Sequence, residues 1–213
     1  HFNEVTALPH RADGKPVAVA GNSSEEKAQN FITQHLADFS LPSAQLVQQP
    51  VVHSSKFDFI HYHQFHEGLR VLGADLLVKL DAHGVVQFGC DVHRQITVNT
   101  TPTLTSAAAQ QLATEGLDGT LESVELIPEL SILPRWSAEG YTFHLVYTLR
   151  VHTRYADEVP AIWLTYVDAH SGDIWMRKNL VAHAHDEQGD PIRENHPPLL
   201  QVTTTVNGTV YPF

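Results

Sequence analysis

The first helical pattern of the chain lies between residues 22 and 42. Six positions recur at intervals of three and four residues, which places them on one face of an α-helix. They are Ala28, Phe31, Ile32, His35, Leu36 and Phe39. Ser23 and Glu26 have the spacing of a capping box, in which a serine hydroxyl accepts a bond from an amide in the first turn. The pattern stops before Pro42, so it predicts a helix of about four turns.

Residues 1–21, which precede this helix, show no sustained periodicity. Pro9, Gly14, Pro16 and Gly21 interrupt the segment at short intervals. Because proline and glycine favour turns and irregular backbone, the sequence predicts an extended arm here.

Between Leu46 and Val98 the hydrophobic period changes to two, which is the side-chain period of a β-strand. Two sets of alternate positions result, and each set shares one face of a strand. They are Phe57, Phe59, His61, His63 and Phe65, and Leu76, Val78 and Leu80. The segments His66–Gly68 and Asp81–Gly84 carry turn residues and divide the run. The pattern therefore predicts consecutive antiparallel strands after the first helix.

A second pattern of helix and then sheet follows the Thr- and Pro-rich segment Asn99–Ser106, which we interpret as a hinge. Ala107–Gly116 is rich in strong helix formers and ends in glycine, so it predicts a helix. Strand-like runs separated by turn residues come after it. They are Val124–Leu133, Tyr141–Arg150, Ala161–Val167 and Ile174–Val181. The sequence thus predicts an α+β fold of two similar units, each a helix packed on an antiparallel sheet.

After Leu180 the composition becomes polar and proline-containing, which favours a linker. The final run, QVTTTVNGTVYPF, is β-rich. We expect it to be either the last strand of this protein or the first strand of a following domain.

Composition and charge narrow the possible partners. The chain has 213 residues, of which 42% are hydrophobic and 17% charged, as in a folded globular protein. Its formal charge is −11, with 13 Lys and Arg against 24 Asp and Glu. Nucleic acid and anionic membrane surfaces attract clustered basic residues, so this balance argues against both as partners. No run approaches the ~20 apolar residues of a membrane span.

The motifs of common catalytic sites are absent from the sequence. A zinc peptidase helix needs HExxH, which places two imidazoles on one metal. The nearest string, HEGLR at His66–Arg70, has arginine at the second ligand position. There is no GxSxG, P-loop or GxGxxG string. The single cysteine, Cys90, lies in a strand-like run without a feature that lowers a thiol pKa, so we expect it to be buried.

Fifteen histidines are many for a chain of this length. His61, His63 and His66 fall on or beside one strand face. His183 and His185 form a second pair. Such pairs can bind zinc or copper, but no cysteine or carboxylate cluster adds the further ligands of a structural zinc site. His61, His63 and His66 are therefore expected to be half-buried sheet residues, and no metal site is predicted in this chain.

Two stretches resemble known domain families. His63–Val86 resembles the fungalysin/thermolysin propeptide (FTP) motif, in which a Gln-bearing strand leads through a glycine turn to a Val-x-Gly strand and a hairpin. The matching residues are Gln64, Gly68, Val71, Gly73 and Gly84. Phe143–Val151 and Ala161–Val181 resemble a PepSY domain, which ends in a strand, an Asp-Ala-x-x-Gly turn and a second strand. The turn residues are Asp168, Ala169 and Gly172.

The PepSY-like turn also has a physical basis. Asp168 can accept bonds from backbone amides across a tight turn, and Gly172 can adopt positive φ. Val167 and Ile174 would then enter paired strands in register. Ser171 stands where threonine is commoner in the family. These turn residues are expected to support the fold, and no catalytic or cofactor-binding residue is predicted.

In this order, the two motifs are similar to the pro-regions of secreted thermolysin-like or fungalysin-like zinc metalloproteases. The resemblance implies two cystatin-like units, an FTP-like domain at 22–102 and a PepSY-like domain at 103–182. An arm at 1–21 precedes them, and a linker or the start of the next domain follows at 183–213. Such a pro-region is secreted or periplasmic, assists folding of the catalytic domain and inhibits it. The implied partner is the catalytic domain of the cognate metalloprotease, which carries the zinc, with no cofactor in this chain.

Two other interpretations stay open at this point. One is a free-standing secreted or periplasmic binding module, such as a protease inhibitor or a metal-binding surface protein. An HExxH motif encoded downstream of Phe213 would favour the pro-region over this module. The other is a small enzyme built on the same sheet, for which the sequence offers no paired acid and base and no activated nucleophile.

Overall fold

The computed structural model describes residues 2–3, 6–42, 45–127 and 130–181, and the linker predicted at 183–213 lies outside these ranges. The described residues have a mixed α+β fold that is mostly sheet, with two α-helices and one short 3-10 helix. The helices are α1 (Ser24–His35), the 3-10 helix (Ala37–Phe39) and α2 (Ser106–Thr114). The strands are β1 (Phe2–Asn3), β2 (Leu8–Pro9), β3 (Ala12–Val17), β4 (Leu46–Gln48), β5 (Val52–His53), β6 (Asp58–His66), β7 (Leu69–Asp81), β8 (Gly84–Cys90), β9 (Thr120–Leu126), β10 (Ser131–Ser137), β11 (Gly140–Arg154), β12 (Pro160–Asp168) and β13 (Ile174–Asn179). In these parts of the chain, no helix combines the length and the apolar character that crossing a membrane requires.

Helix α1 begins where the capping-box spacing predicts. The hydroxyl of Ser23 accepts a bond from the amide of Glu26 at 3.2 Å. The Glu26 carboxylate accepts a bond from the amide of Asn22 at 2.7 Å, one residue further back than in the usual box. The buried residues of the helix are Ala28, Phe31 and Ile32. His35, by contrast, is exposed.

Strands β6, β7 and β8 form the predicted antiparallel meander. In the β6–β7 turn, Glu67 (φ 50) and Gly68 (φ 80) both have positive φ, as in a type I′ hairpin. In the β7–β8 turn, the Asp81 carboxylate accepts bonds from the amides of His83 and Gly84 at 2.7 and 3.1 Å. The inward side of the meander packs on α1. Its buried residues include Ile60, Tyr62, Leu76, Val78, Leu80, Val85 and Cys90.

Helix α2 covers the second part of the sheet. The hydroxyl of its N-cap residue, Thr105, accepts a bond from the amide of Ala108 at 3.2 Å. Strands β11 and β12 form a long antiparallel pair, from Val146 opposite Asp168 to the pairing of Arg154 with Pro160. The buried cluster between these strands and α2 contains Ala109, Ala113, Leu145, Tyr147, Leu149, Val151, Ala161, Trp163, Val167 and Ala169.

A parallel pairing joins the two parts of the sheet, and the sequence does not predict it. Arg70 and Val71 of β7 pair with Ser131 and Ile132 of β10. Val71 and Ile132 are fully buried together with Ala74 in a third apolar cluster. The main sheet consequently runs in the order β13-β12-β11-β10-β7-β6-β4. It continues across the predicted boundary between residues 102 and 103, and His1–Leu180 belongs to one compact unit.

One predicted strand is in fact two. The sequence pattern indicates a single strand at Val124–Leu133, whereas β9 ends at Leu126 and β10 begins at Ser131. β10 pairs with the N-terminal part of β11 and β9 with its C-terminal part. Pro128 lies between the two strands in the sequence, and proline has no amide hydrogen with which to continue a ladder.

The described residues of the arm predicted at 1–21 include three short strands, and β3 is attached to the main sheet. Ala12 and Asp13 of β3 pair with Phe88 and Gln87 of β8. Leu8 is fully buried in the core under α1. The arm therefore contributes to the apolar core between α1 and the β6–β8 meander.

Candidate functional site

Gln64, the first residue of the FTP-like motif, is fully buried in β6 and connects this strand to the segment after β8. Its amide nitrogen donates to the carbonyl of His93 at 2.6 Å and to the side-chain oxygen of Gln45 at 3.0 Å. Its amide oxygen accepts a bond from the backbone amide of His93 at 2.8 Å. The buried ring of His93 packs edge-on against Tyr141 and Phe143 of β11. Gln64 thus helps to hold the two parts of the sheet together.

The other residues of the FTP-like motif lie in turns and at the joint of the sheet. Gly68 is in the β6–β7 turn, and Val71 is in the third apolar cluster. Gly73 has φ 71 within β7. Gly84 begins β8 against the main chain of Val17, where a Cβ would lie 2.1 Å from the Val17 carbonyl oxygen. These residues support the meander and do not converge on one site.

Asp168 organises the hairpin between β12 and β13 and is only 5% exposed. One carboxylate oxygen accepts bonds from the amides of His170 and Ser171 at 2.8 and 2.9 Å. The other accepts the indole N–H of Trp175 at 2.8 Å. Burial raises the pKa of Asp168, but these hydrogen bonds and the nearby His144 outweigh it and leave the pKa below its ordinary value.

The other two motif residues of this turn fix its position. The carbonyl of Ala169 accepts bonds from the amides of Thr103 and Leu104 at 3.0 and 2.9 Å. Gly172 has φ 83, and a Cβ there would lie 2.8 Å from a methyl group of Leu112 in α2. The segment that the sequence suggests as a hinge is therefore bonded to the turn, and the turn packs closely on α2.

The turn places β13 at one end of the main sheet. Val167 pairs with Ile174 across the turn. Because β13 is last in the sheet order, no strand within the described ranges pairs with its outer side. Arg177 donates to the carbonyls of Glu115 and Ala113, at 2.9 and 3.0 Å, at the C-terminal end of α2. A cation is favourable there because of the helix dipole. Within the described ranges, β13 is therefore an edge strand held from one side, with a shift of register at Trp175.

Three side chains stack on the face of the sheet opposite α2, next to β13. The rings of His144 and Trp175 have centroids 4.4 Å apart. The guanidinium carbon of Arg135 lies 4.2 Å from the centroid of the Trp175 ring, a cation–π contact. Ile174, at the start of the strand, is 37% exposed. We call Ile174–Lys178 together with Arg135 the edge patch.

The edge patch is cationic on a chain whose net charge is −11. The side chains of Arg135 and Lys178 are both exposed. In the parts of the chain that are described, neither forms an ion pair with a carboxylate. Both cations are therefore available to an acidic partner.

His144 also connects Asp168 to an exposed hydroxyl. Its Nδ1 is 3.3 Å from the Asp168 carboxylate, and its Nε2 is 3.2 Å from the hydroxyl of Thr142. With the proton on Nδ1, Nε2 accepts from the hydroxyl, which is the order of groups in a hydrolase triad. The hydroxyl also lies 3.4 Å from the carbonyl of Arg135, a competing acceptor.

Cys90 is buried, and His63, one of the histidines that the sequence singles out, lies beside a carboxylate. Burial raises the pKa of Cys90 to about 11, so its thiol stays protonated at neutral pH. His63 Nδ1 lies 2.6 Å from the Asp75 carboxylate, which also accepts a bond from Arg70 at 2.7 Å. Across 6–42, 45–127 and 130–181, no three His, Cys, Asp or Glu residues are grouped as a metal site. The second predicted histidine pair lies outside the described residues.

The sequence alone did not single out Arg135, His144 or Lys178. Each occupies an ordinary alternating position of its strand. Arg135 and His144 both contact Trp175 only because the registers align β10, β11, β12 and β13, and Lys178 lies three residues further along β13. The outward-facing positions of these strands would indicate the edge patch only if the order of the strands in the sheet were already known.

The similarity of this chain to known proteins is low. No protein-family model and no curated protein matches the chain. Among solved structures, the Bacillus megaterium YpeB C-terminal domain is similar with a TM-score of 0.37 and 14% sequence identity. The match covers 82% of this chain and 73% of that chain. The likeness is distant.

Proposed function

We propose that the chain is the pro-region of a secreted zinc metalloprotease, with a cystatin-like FTP domain at 22–102 and a cystatin-like PepSY domain at 103–182. It acts as an intramolecular chaperone and inhibitor of the catalytic domain, which is its partner and binds the zinc. The observation that carries the proposal is the Asp168–Gly172 hairpin. Residues of the PepSY-like motif there hold an edge strand beside an aromatic and cationic surface. An edge of this kind can bind another polypeptide as an added strand.

Inhibition of the cognate protease tests the proposal. The purified chain at micromolar concentration is expected to slow hydrolysis of a fluorogenic peptide by the catalytic domain, because its surface covers the cleft. It should also raise the yield of active enzyme when the catalytic domain is refolded from denaturant. A serine protease assayed in parallel serves as the control and should keep its full rate. Unchanged hydrolysis and unchanged refolding yield would contradict the pro-region.

A free-standing binding module is the alternative within the same class of function. It predicts that no HExxH motif is encoded downstream of Phe213. Its metal-binding form further predicts one tight stoichiometric zinc site by calorimetry. Weak binding at several histidines would count against that form.

The contact series from Thr142 through His144 to Asp168 raises a second candidate, ester or amide hydrolysis. We expect it to be structural, because the hydroxyl has a competing carbonyl acceptor and Asp168 already accepts three other bonds. Wild type and Thr142→Val should therefore hydrolyse p-nitrophenyl acetate at the same rate. His35→Gln, at an exposed histidine, controls for the slow reaction of any surface imidazole. A rate at least about tenfold lower in Thr142→Val would favour a hydrolase instead.

A further inference from the structure

We propose that the edge patch binds an extended, acidic segment of the partner polypeptide, which adds to the sheet as a strand beside β13. The inference rests on the proposed function in one respect, that the partner is a polypeptide. It goes further in naming the surface that binds and the chemistry of the segment that is bound.

The backbone of β13 supplies the hydrogen bonds. The strand has six residues and contains no proline. It pairs with β12 in regular register from Trp163 opposite Asn179 to Tyr166 opposite Met176. The register then shifts at Trp175 before Val167 pairs with Ile174. Every second residue of an edge strand directs its N–H and C=O away from the sheet. Ile174–Lys178 can therefore pair with an added strand of about five residues.

The side chains of the edge patch determine which segment fits. Lys178 and Arg135 are exposed cations without an ion-pair partner among the described residues. Acidic side chains on an added strand lie within reach of Lys178 as cross-strand neighbours. Trp175 holds Arg135 in place through the cation–π contact. The exposed part of Ile174 offers an apolar contact at the other end.

Other edges of the described sheet are less suitable for an acidic segment. Strand β9 pairs only with β11, but it carries Glu122 and Glu125, which form ion pairs with Arg154 and Arg150. Strand β3 contains Pro16, and its register with β8 is interrupted. Strand β4 is three residues long. The absence of proline and of acidic residues from β13 therefore favours this strand.

A peptide probe tests this surface without the protease. The probe is an acetylated hexapeptide of alternating valine and glutamate, added to the full-length ¹⁵N-labelled chain and followed by amide chemical shifts and hydrogen exchange. The amides of Ile174–Lys178 are expected to shift in a saturable manner and to exchange more slowly. The matching valine–lysine hexapeptide should leave them unchanged, and added salt should weaken binding because exposed ion pairs are screened.

Charge-reversal variants locate the contact. Lys178→Glu and Arg135→Glu are each expected to lower the affinity for the valine–glutamate peptide about fivefold, which is the size expected for loss of an exposed ion pair. Lys56→Glu makes the same charge change in an exposed turn distant in sequence, before β6, and should leave binding unchanged. Equal binding by all three variants would overturn the proposal.

Two other results would overturn it. One is binding of the valine–lysine peptide at β13 as strongly as the valine–glutamate peptide. The other is a concentration-dependent dimer in sedimentation with its protected amides in β13, since the occupant would then be a second copy of the chain.

The two proposals fail in different ways. If the wild-type chain and Lys178→Glu inhibit the protease equally and the peptide does not bind, the edge patch is refuted and the pro-region stands. If the peptide binds at β13 but the protease is not inhibited, the pro-region is refuted and the edge patch stands.

Discussion

Replacing Gln64 by leucine is expected to lower the free energy of unfolding by about 3 kcal/mol. Leucine has a similar volume but cannot bond, so the buried amide and carbonyl of His93 both lose their side-chain partner. A buried polar group left unsatisfied costs about 1–3 kcal/mol. Chemical denaturation followed by fluorescence measures the change. A loss below about 1 kcal/mol would mean that other groups or water replace these bonds.

Gln95→Leu is the matched control for this substitution. Gln95 lies in the same segment as His93 but is exposed. Its replacement is expected to change stability by no more than about 0.5 kcal/mol, as for most surface positions.

Gln64→Glu separates the hydrogen bonds from the volume of the side chain. A protonated glutamic acid can still donate to the His93 carbonyl, whereas an ionised one places negative charge against it. Because burial raises the pKa of such a carboxyl in the folded state, stability is retained below the unfolded value of about 4.3 and is lost as pH rises. Between pH 4 and 7 the variant should therefore become less stable relative to wild type. A difference in stability between Gln64→Glu and wild type that stays constant across this range would contradict the hydrogen bonds assigned to Gln64.

Replacing Asp168 by alanine is expected to cost about 3 to 4 kcal/mol, because three donors lose a charged acceptor. The donors are the amides of His170 and Ser171 and the indole of Trp175. Since the turn sets the start of β13, exchange of the β13 amides should accelerate as well. Asp38→Ala, at an exposed carboxylate of the 3-10 helix, should be close to neutral.

Asp168 also predicts an acid-dependent loss of stability. Its pKa is below the ordinary value in the folded state, so its contribution is fully present above about pH 4 and is lost as pH falls toward the folded pKa. Asp168→Asn should flatten the stability profile in this acidic range. His93 acts in a higher range: burial lowers its pKa, so stability falls as pH drops below about 6.5, and Asp168→Asn should leave that part unchanged. If Asp168→Asn lost stability at acidic pH to the same extent as wild type, the assignment of this loss to Asp168 would be contradicted.

Much of the fold is predictable because it depends on near neighbours in the chain. The cap at Ser23 needs only Glu26, and the β6–β7 turn needs only a residue pair that tolerates positive φ. The hairpin after Asp168 likewise uses residues within one turn. Local chemistry of this kind is visible in the order of the residues.

The features that the sequence did not predict depend on strand pairing across the whole sheet. Pairing of Arg70 with Ser131 joins strands far apart in the chain, so it leaves no short-range pattern. The Val124–Leu133 run has continuous strand character, yet its halves pair with different parts of β11. Strand pairing is decided by which apolar faces can be buried together, and that depends on the whole molecule.

By itself, the sequence determined the two helices, most of the strands, their turns and the lack of familiar catalytic motifs, because these depend on spacing along the chain. The tertiary structure alone decided that Gln64 bonds His93, that β13 lies at an edge of the described sheet, and that Arg135 stacks on Trp175. The physical reason is that hydrogen bonds of buried groups and the exposure of charges depend on which strands lie side by side. For this protein, the candidate site is a product of strand order.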